Sequence, residues 1–534
     1  MMRQVIAYDS TLRDGAQAQG VSFTVEDKLK IVQRLDALGI GYIEAGNPGS
    51  NPKDLAFFEQ VSALKLKHAK IIAFGSTRKP NIQAQQDNNL QSLLLAKTSA
   101  VAIFGKSWDY QVTDILRTTL DENLAMIADS IAFLKSNSKE VVFDAEHFFD
   151  GYKVNADYAL KTLEAAANAG ADVLCLCDTN GGTFPDEVSA ITKIVLSRFN
   201  VQVGIHCHND CEMAVANSIA AVQAGATQVQ GTVNGIGERC GNANLCAIIP
   251  NLQLKLGMQC IPAHNMAELT SAARYVNEIA NMPFNEKAPY VGNDAFSHKG
   301  GMHIDAVSKN PISYEHINPE TIGNVRHILV SEVAGRSALL SKINAVDATL
   351  NKDSADTKRI LEHLKTLEHE GYQFESAESS FELLVHRLLG KYQPFFTLKE
   401  YQVSTQEDAK GLSSTASIRI AVNGQEESAS GQGEGSVNAL DIAVRKALER
   451  FYPAIKDVKL IDYKVRVLDS DKATAAKVRV LIESSDQHMA WTTVGVSTDV
   501  IEASWRAMLD AIEYKLMRDA QAENIKAAAK QAAA

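Results

Sequence analysis

The sequence predicts an α/β fold: a closed (β/α)8 TIM barrel, then a helical linker region, then a C-terminal α+β domain with an internal repeat. Three observations carry this. Short β-branched runs alternate with longer helical patterns through roughly the first 260 residues, the size of such a barrel. Polar clusters follow those runs, where a barrel carries its chemistry. Near the C-terminus, one stretch resembles another at an offset of about 61 residues, the mark of a duplicated unit.

Residues 1–260 form the expected catalytic domain. Its strands are predicted at Val5–Asp9, Gly41–Ala45, Lys70–Gly75, Ala100–Gly105, Glu140–Ala145, Asp172–Cys177, Val201–Cys207 and Thr227–Thr232. Amphipathic stretches between them include Thr24–Leu38, Glu122–Lys135, Ala156–Ala169, Asp186–Phe199, Glu212–Ala224 and Ala243–Leu256. Strand–helix alternation implies right-handed crossovers and a parallel sheet. An open doubly wound sheet is the alternative, but no GxGxxG turn follows the first strand. Residues 261–392 read as linker subdomains: helices at Asn265–Asn281 and Lys358–Lys391 flank a loop-rich stretch, Pro283–Val330, of a length usually kept for function. Residues 393–517 hold the repeat. Tyr401–Glu407 resembles Tyr463–Asp469, and Ser417–Val422 resembles Lys477–Ile482. A Gly-containing turn and a helix follow in each half, Ser436–Phe451 and Ser497–Leu516, so each copy reads as strand–strand–helix. The Ala-rich tail, 518–534, is expected to be a frayed helix or disordered.

The 534 residues are 46% hydrophobic and 22% charged, as in a globular protein, and the net charge of −11 argues against a nucleic-acid binder, which needs a basic face. The N-terminus lacks a signal-peptide pattern. No apolar run reaches the roughly 18 residues of a membrane span. The seven cysteines form no CxxC pair, and reduced thiols and a cytoplasmic location are expected.

The strand ends carry the candidate chemistry. The first leads into Asp9–Gln17, the second ends in Glu44, the fourth at Lys106 and the fifth in Asp144 and Glu146. The sixth leads into Asp178–Gly182, the seventh into His206–Asp210 and the eighth into Asn234–Arg239. His206 and His208 are two apart, so on an extended segment both imidazoles face one side. A carboxylate from a neighbouring strand would complete a three-ligand metal site, and Asp14 is the choice, because the first strand meets the last when a barrel closes. Arg13 can grip a carboxylate or stabilise a developing enolate. Glu146 reads either as acid or base or as the partner of Arg13, the second being its expected resting role. Cys175, Cys177 and Cys207 read as packing. The stretch Gly431–Gly435 lacks the Lys-Ser/Thr of a P-loop.

Asp9–Gly15, His206 with His208–Asp210, Asn234 with Glu238, Arg239, Gly241 and Asn242, and Ala295–His303, in this order, resemble the acyl-CoA-condensing branch of the DRE-TIM metallolyases. That branch holds the 2-isopropylmalate, homocitrate and citramalate synthases. Within it, Pro48–Asp54, Phe104–Trp108, Phe143–Tyr152 and Leu176–Gly182 are most similar to the long bacterial and archaeal citramalate synthases. Asn47 departs from that pattern, which has Trp before Pro48. The resemblance implies Asp14, His206 and His208 as ligands of a divalent ion (Mn, Zn, Co or Mg), with Asn234 or a nearby water as a further one. It implies Arg13, Thr179, Glu44 and Asp144 as substrate contacts, Glu146 as the partner of Arg13 that helps activate the acceptor carbonyl, and His303 and Tyr314 completing the site in a neighbouring subunit's barrel, His303 as general base. The implied reaction condenses acetyl-CoA with pyruvate and hydrolyses the thioester to (R)-citramalate; a larger 2-oxo acid is the alternative. A homodimer with isoleucine feedback through the C-terminal domain is implied, a pure dimerisation domain being the alternative reading.

Overall fold

The computed structural model describes residues 3–50, 52–328, 343, 346, 350, 354–374, 377–408, 411–468, 474–486 and 489–532. The eight predicted strands are all present: β1 (Ile6–Asp9), β2 (Tyr42–Glu44), β3 (Lys70–Ser76), β4 (Ala100–Lys106), β5 (Glu140–Glu146), β6 (Val173–Asp178), β7 (Gln202–Cys207) and β8 (Gln228–Gly231). They pair in sequence order, and β1 closes onto β8 with Asp9 opposite Gly231, giving a closed parallel barrel. The strands are buried on both faces. Tyr8, Ile72, Ala100, Ala102, Val142, Cys175 and Cys177 form the lumen core. The outward residues, such as Ile43, Val101, Ile103, Leu174 and Ile205, pack in the larger core that includes the helices.

Local chemistry explains the helix boundaries. Val25–Leu38 starts at a capping box in which Thr24 accepts from the Asp27 amide and the Asp27 carboxylate accepts from that of Thr24. Helices Leu120–Ser136, Ala156–Asn168, Pro185–Arg198 and Ala214–Ala224 lie where periodicity put them. Three others, Pro52–Val61, Asn88–Leu95 and Phe148–Val154, are too short for an apolar stripe to declare itself. The stretch predicted as one helix over Lys358–Lys391 is two, Ala355–Glu370 and Glu378–Leu388, because the chain turns left-handed at Gly371 (φ 109°).

The described residues cluster into two units, Met1–Ser297 with Glu315–His327, and His298–Tyr314 with Ile328–Ala534. In the second, each repeat holds three antiparallel strands and a helix: Thr397–Asp408, Gly411–Val422, Gln425–Gly433 and Ser436–Glu449, then Lys459–Val467, Val478–Ser485, Ala490–Ser497 and Val500–Ala532. The predicted strand–strand–helix copy therefore lacked a strand. In the first repeat that strand has no apolar alternation to betray it. It is polar and glycine-rich because the following helix lies against it: a Cβ at Gly431 would sit 2.5 Å from the Ala439 carbonyl, and at its counterpart Gly495 2.0 Å from that of Ala503. Among the described residues, no helix is long and apolar enough to cross a membrane.

Candidate functional site

At the C-terminal end of β1 the backbone folds back on itself: the amides of Arg13, Asp14 and Gly15 all donate to the Ser10 carbonyl, at 3.1, 2.8 and 3.1 Å. This turn aims Asp14 at β7. Its Oδ2 lies 3.4 Å from His206 Nε2 and 4.0 Å from His208 Nε2, and the two Nε2 atoms are 3.4 Å apart. First-row divalent ions with bonds of about 2.1 Å separate their ligand atoms by roughly 3.0–3.5 Å, so the two 3.4 Å separations match one such ion and the 4.0 Å one closes to it with a small turn of the Asp14 carboxylate.

The protonation states of Asp14 and His208 suit ligation, and an ion would compete with a proton at His206. Burial opposes ionisation of Asp14, but the Arg13 guanidinium and the neighbouring His206 imidazole override it and hold the carboxyl well below the usual range. Burial, with the neighbouring His206, depresses His208 to about 4 and keeps it neutral. For His206, burial works downward, yet Asp14 wins and raises it. His208 Nδ1 is buried without a hydrogen-bond partner among the described residues.

Arg13 stands beside this cluster. Its Nε donates to Glu44 Oε2 at 2.7 Å, its Nη1 is 3.3 Å from Asp14 Oδ2, and its guanidinium carbon is 3.9 Å from the Phe74 ring centroid. Glu44, fully buried, also accepts from Tyr8 Oη at 2.8 Å and Ser10 Oγ at 2.7 Å. Its carboxylate is thus spent on protein donors and anchors Arg13 instead of facing substrate. Glu146 pairs with Lys106 across β4 and β5. The expected Arg13–Glu146 pair is therefore corrected to Arg13–Glu44, because β2 is the strand that borders β1.

Other predicted residues have more specific surroundings than the sequence suggested. Asp144 Oδ1 accepts from Gln230 Nε2 at 3.0 Å; burial, then the charge of Glu44, pushes its carboxyl up to about 6. Thr179 Oγ1 accepts from the His147 amide at 2.8 Å, and its carbonyl from Arg239 Nη2 at 2.8 Å. Asn234 is not in the cluster: its Nδ2 donates to the Ala273 carbonyl and to Asn277 Oδ1, at 2.7 and 2.6 Å, and its Oδ1 faces Cys246 Sγ. Its direct ligand role is corrected accordingly. His303 and Tyr314 lie in the second unit, exposed, with rings stacked at 4.1 Å.

Gln230 and Phe74 were missed. Gln228 and Gln230, two apart in a wholly buried strand, were the available signal: amides inside a barrel need partners there. Arg13, Gln17, Asn47, Lys53 and Phe74 are among the residues lining a cavity of about 380 Å³ beside the cluster. The arrangement offers a divalent-cation site, a guanidinium held next to it, and room for a ligand.

Comparison with known proteins agrees with this chemistry. The HMGL-like family matches residues 4–276, the "homocitrate synthase post-HMGL domain-like" family 290–372, and the "LeuA allosteric (dimerisation) domain" family 375–516. The chain is 54% identical to the (R)-citramalate synthase of Aquifex aeolicus, covering 97% of this chain and 99% of that one. It is 51% identical to that of Geobacter sulfurreducens, covering 98% and 100%. With the probable 2-isopropylmalate synthase of Methanopyrus kandleri the identity is 32%, covering 96% and 98%.

Proposed function

We infer, from the premise that this chain belongs to the HMGL-like family and within it to the (R)-citramalate synthases, that it condenses acetyl-CoA with pyruvate to give (R)-citramalate and CoA. The observation that carries the reading is the Asp14–His206–His208 cluster with Arg13 beside it. A larger 2-oxo acid acceptor is disfavoured by the lower identity to the 2-isopropylmalate synthase relative. The seven unpaired cysteines support a reducing, cytoplasmic setting.

Asp14, His206 and His208 would hold a divalent ion, which would supply Lewis-acid polarisation of the acceptor ketone; Mn²⁺, Zn²⁺ and Co²⁺ suit this donor set, and Mg²⁺ less so. Arg13 is oriented by Glu44 to meet the oxygen on which negative charge develops when the ketone is attacked. Thr179 is the proposed contact of the acceptor carboxylate. His303 is the proposed base that takes a proton from the acetyl methyl group, an assignment resting on the family resemblance, with Tyr314 beside its ring. The methyl carbon then forms its bond to the ketone carbon, the alkoxide is protonated, and water cleaves the thioester to free CoA. The C-terminal domain is read as the site of isoleucine feedback and homodimerisation, on the strength of its LeuA-domain match.

The test is free-thiol release from acetyl-CoA with pyruvate, 2-oxobutyrate, 2-oxoisovalerate, 2-oxoglutarate and glyoxylate, with and without EDTA. Pyruvate should turn over fastest and EDTA should abolish the signal; fastest turnover on 2-oxoisovalerate overturns the assignment. Isoleucine should lower the rate at subsaturating pyruvate, and indifference to isoleucine, leucine and valine alike defeats the feedback reading.

A further inference from the structure

We propose that Gln230 is a positioning residue for His206, holding its imidazole in the one tautomer that leaves Nε2 free for a metal ion; this rests on reading Asp14, His206 and His208 as the cation site. Gln230 Oε1 lies 3.0 Å from His206 Nδ1. A carboxamide has unlike ends: its oxygen only accepts and its NH2 only donates. Which end faces His206 is settled on the other side, where Gln230 Nε2 donates to Asp144 Oδ1 at 3.0 Å and to Gln228 Oε1 at 3.4 Å. Reversing the amide would set its oxygen against a buried carboxyl and leave both donors misdirected. Oε1 therefore faces the imidazole, so in the neutral ring Nδ1 carries the proton and Nε2 keeps its lone pair. Nε2 is the atom that lies 3.4 Å from Asp14 Oδ2 and from His208 Nε2.

The anchor is not local. β8 and β5 are not neighbours in the barrel, so the Gln230–Asp144 hydrogen bond spans the lumen. Asp144 stands opposite Cys175 on β6, with a carboxylate oxygen within 4.8 Å of the Cys175 sulfur. A chain from Asp144 on β5 through Gln230 on β8 to His206 on β7 ties both sides of the lumen to one ligand. It also gives Asp144 a structural partner, where its closeness to Cys175 and Cys177 would otherwise suggest a second cation site. His208 has no such support, since its Nδ1 is unpartnered among the described residues. The site thus has one fixed imidazole and one adaptable one. Metal-ligating histidines commonly depend on such an outer partner, whose removal weakens metal binding by ~10–100-fold.

The test uses the full chain without substrates. Mn²⁺ is titrated into the wild type and into Gln230→Met, which keeps the side chain's length and removes its polar end, and the free aquo ion is followed by EPR. The expected result is a Kd raised ~10–100-fold in the variant, with thermal unfolding of the metal-free protein close to wild type. Equal affinities in the two proteins overturn the proposal for Gln230 alone; a wild type that binds no divalent ion overturns the cation-site reading with it. A second measurement needs no variant of Gln230. In Zn²⁺-loaded, ¹⁵N-histidine-labelled wild type, with the His206 signals identified by their loss in His206→Gln, Nδ1 should be protonated and Nε2 metal-bound, and the reverse assignment overturns the proposal.

Discussion

Arg13 is held in a way a lysine could not reproduce. Its Nε reaches Glu44, its Nη1 faces Asp14, and its plane lies near the Phe74 ring, three contacts that need a flat, forked cation. Arg13→Lys keeps the charge and loses the fork, so kcat/KM should fall ~10²–10³-fold, the range of a lost transition-state donor; a fall below tenfold would mean that charge alone suffices. The sequence reading paired Arg13 with Glu146, and the structure pairs it with Glu44. Both end barrel strands, and only pairing order separates them: β2 borders β1, whereas β5 borders β4 and β6. A different residue governs stability against pH. Glu513, 2% exposed, has one carboxylate oxygen without a partner, and burial pushes its pKa up to about 7 from the 4.5 of a free glutamate. The native state therefore binds this proton more tightly than the unfolded chain. Its stabilising contribution is complete below pH ~4.5 and is lost as pH rises toward ~7, at most roughly 3 kcal/mol. Glu513→Gln should flatten the decline in urea stability of the second unit between pH 5 and pH 8. An unchanged slope would show that the carboxyl is not the titrating group.

At the scale of elements, the ends of the strands matter more than the strands. The alternation of β-branched runs and amphipathic stretches was enough to locate all eight barrel strands, because parallel strands buried on both faces are mostly apolar, β8 with its two glutamines being the exception. The turns that aim the side chains are set by contacts distant in sequence, and periodicity is blind to them. The turn after β6 is one case. Gly181 has φ +64°, and a Cβ there would lie 2.8 Å from the Asp210 amide nitrogen and 2.9 Å from the His208 carbonyl. Asp210 is also clamped by Arg239, whose Nε and Nη2 donate to its two oxygens at 2.8 and 2.9 Å. Gly181→Ala should therefore push the β7 loop outward and take His208 with it. We expect a cost of about 1–3 kcal/mol for the strained backbone and weaker Mn²⁺ binding, measured by urea unfolding and metal titration; a variant matching wild type in both would show that the loop absorbs the methyl group. The same blindness hid the strand Gln425–Gly433, whose polar alternation is dictated by a helix lying close above its glycines.

For the whole molecule, the consequence lies in how apolar burial is distributed. The barrel unit buries its own cores, and the described residues from Ile343 onward bury others: one joins the repeat helices to their strands, and another joins Ile360, Leu364 and Phe381 to Val494 and Val496. That last core argues against testing feedback by ending the chain near Gln393. The cut would remove the strand Ala490–Ser497 and expose the apolar faces of both linker helices, so loss of an isoleucine response would report damage as readily as regulation. Intact protein is the better object. Asp14, His206 and His208 all belong to the barrel unit, and a ligand stabilises only the cooperative unit that binds it. Divalent ion at a hundred times its Kd adds about 2.7 kcal/mol to that unit, which for a body of this size raises its transition by roughly 4–6 °C. Calorimetry of the full chain should show two transitions, one moving upward with Mn²⁺ and back with EDTA while the other stays within a degree of its position. A single transition, or two that shift together, would mean that the units unfold as one and that metal binding is felt throughout the chain.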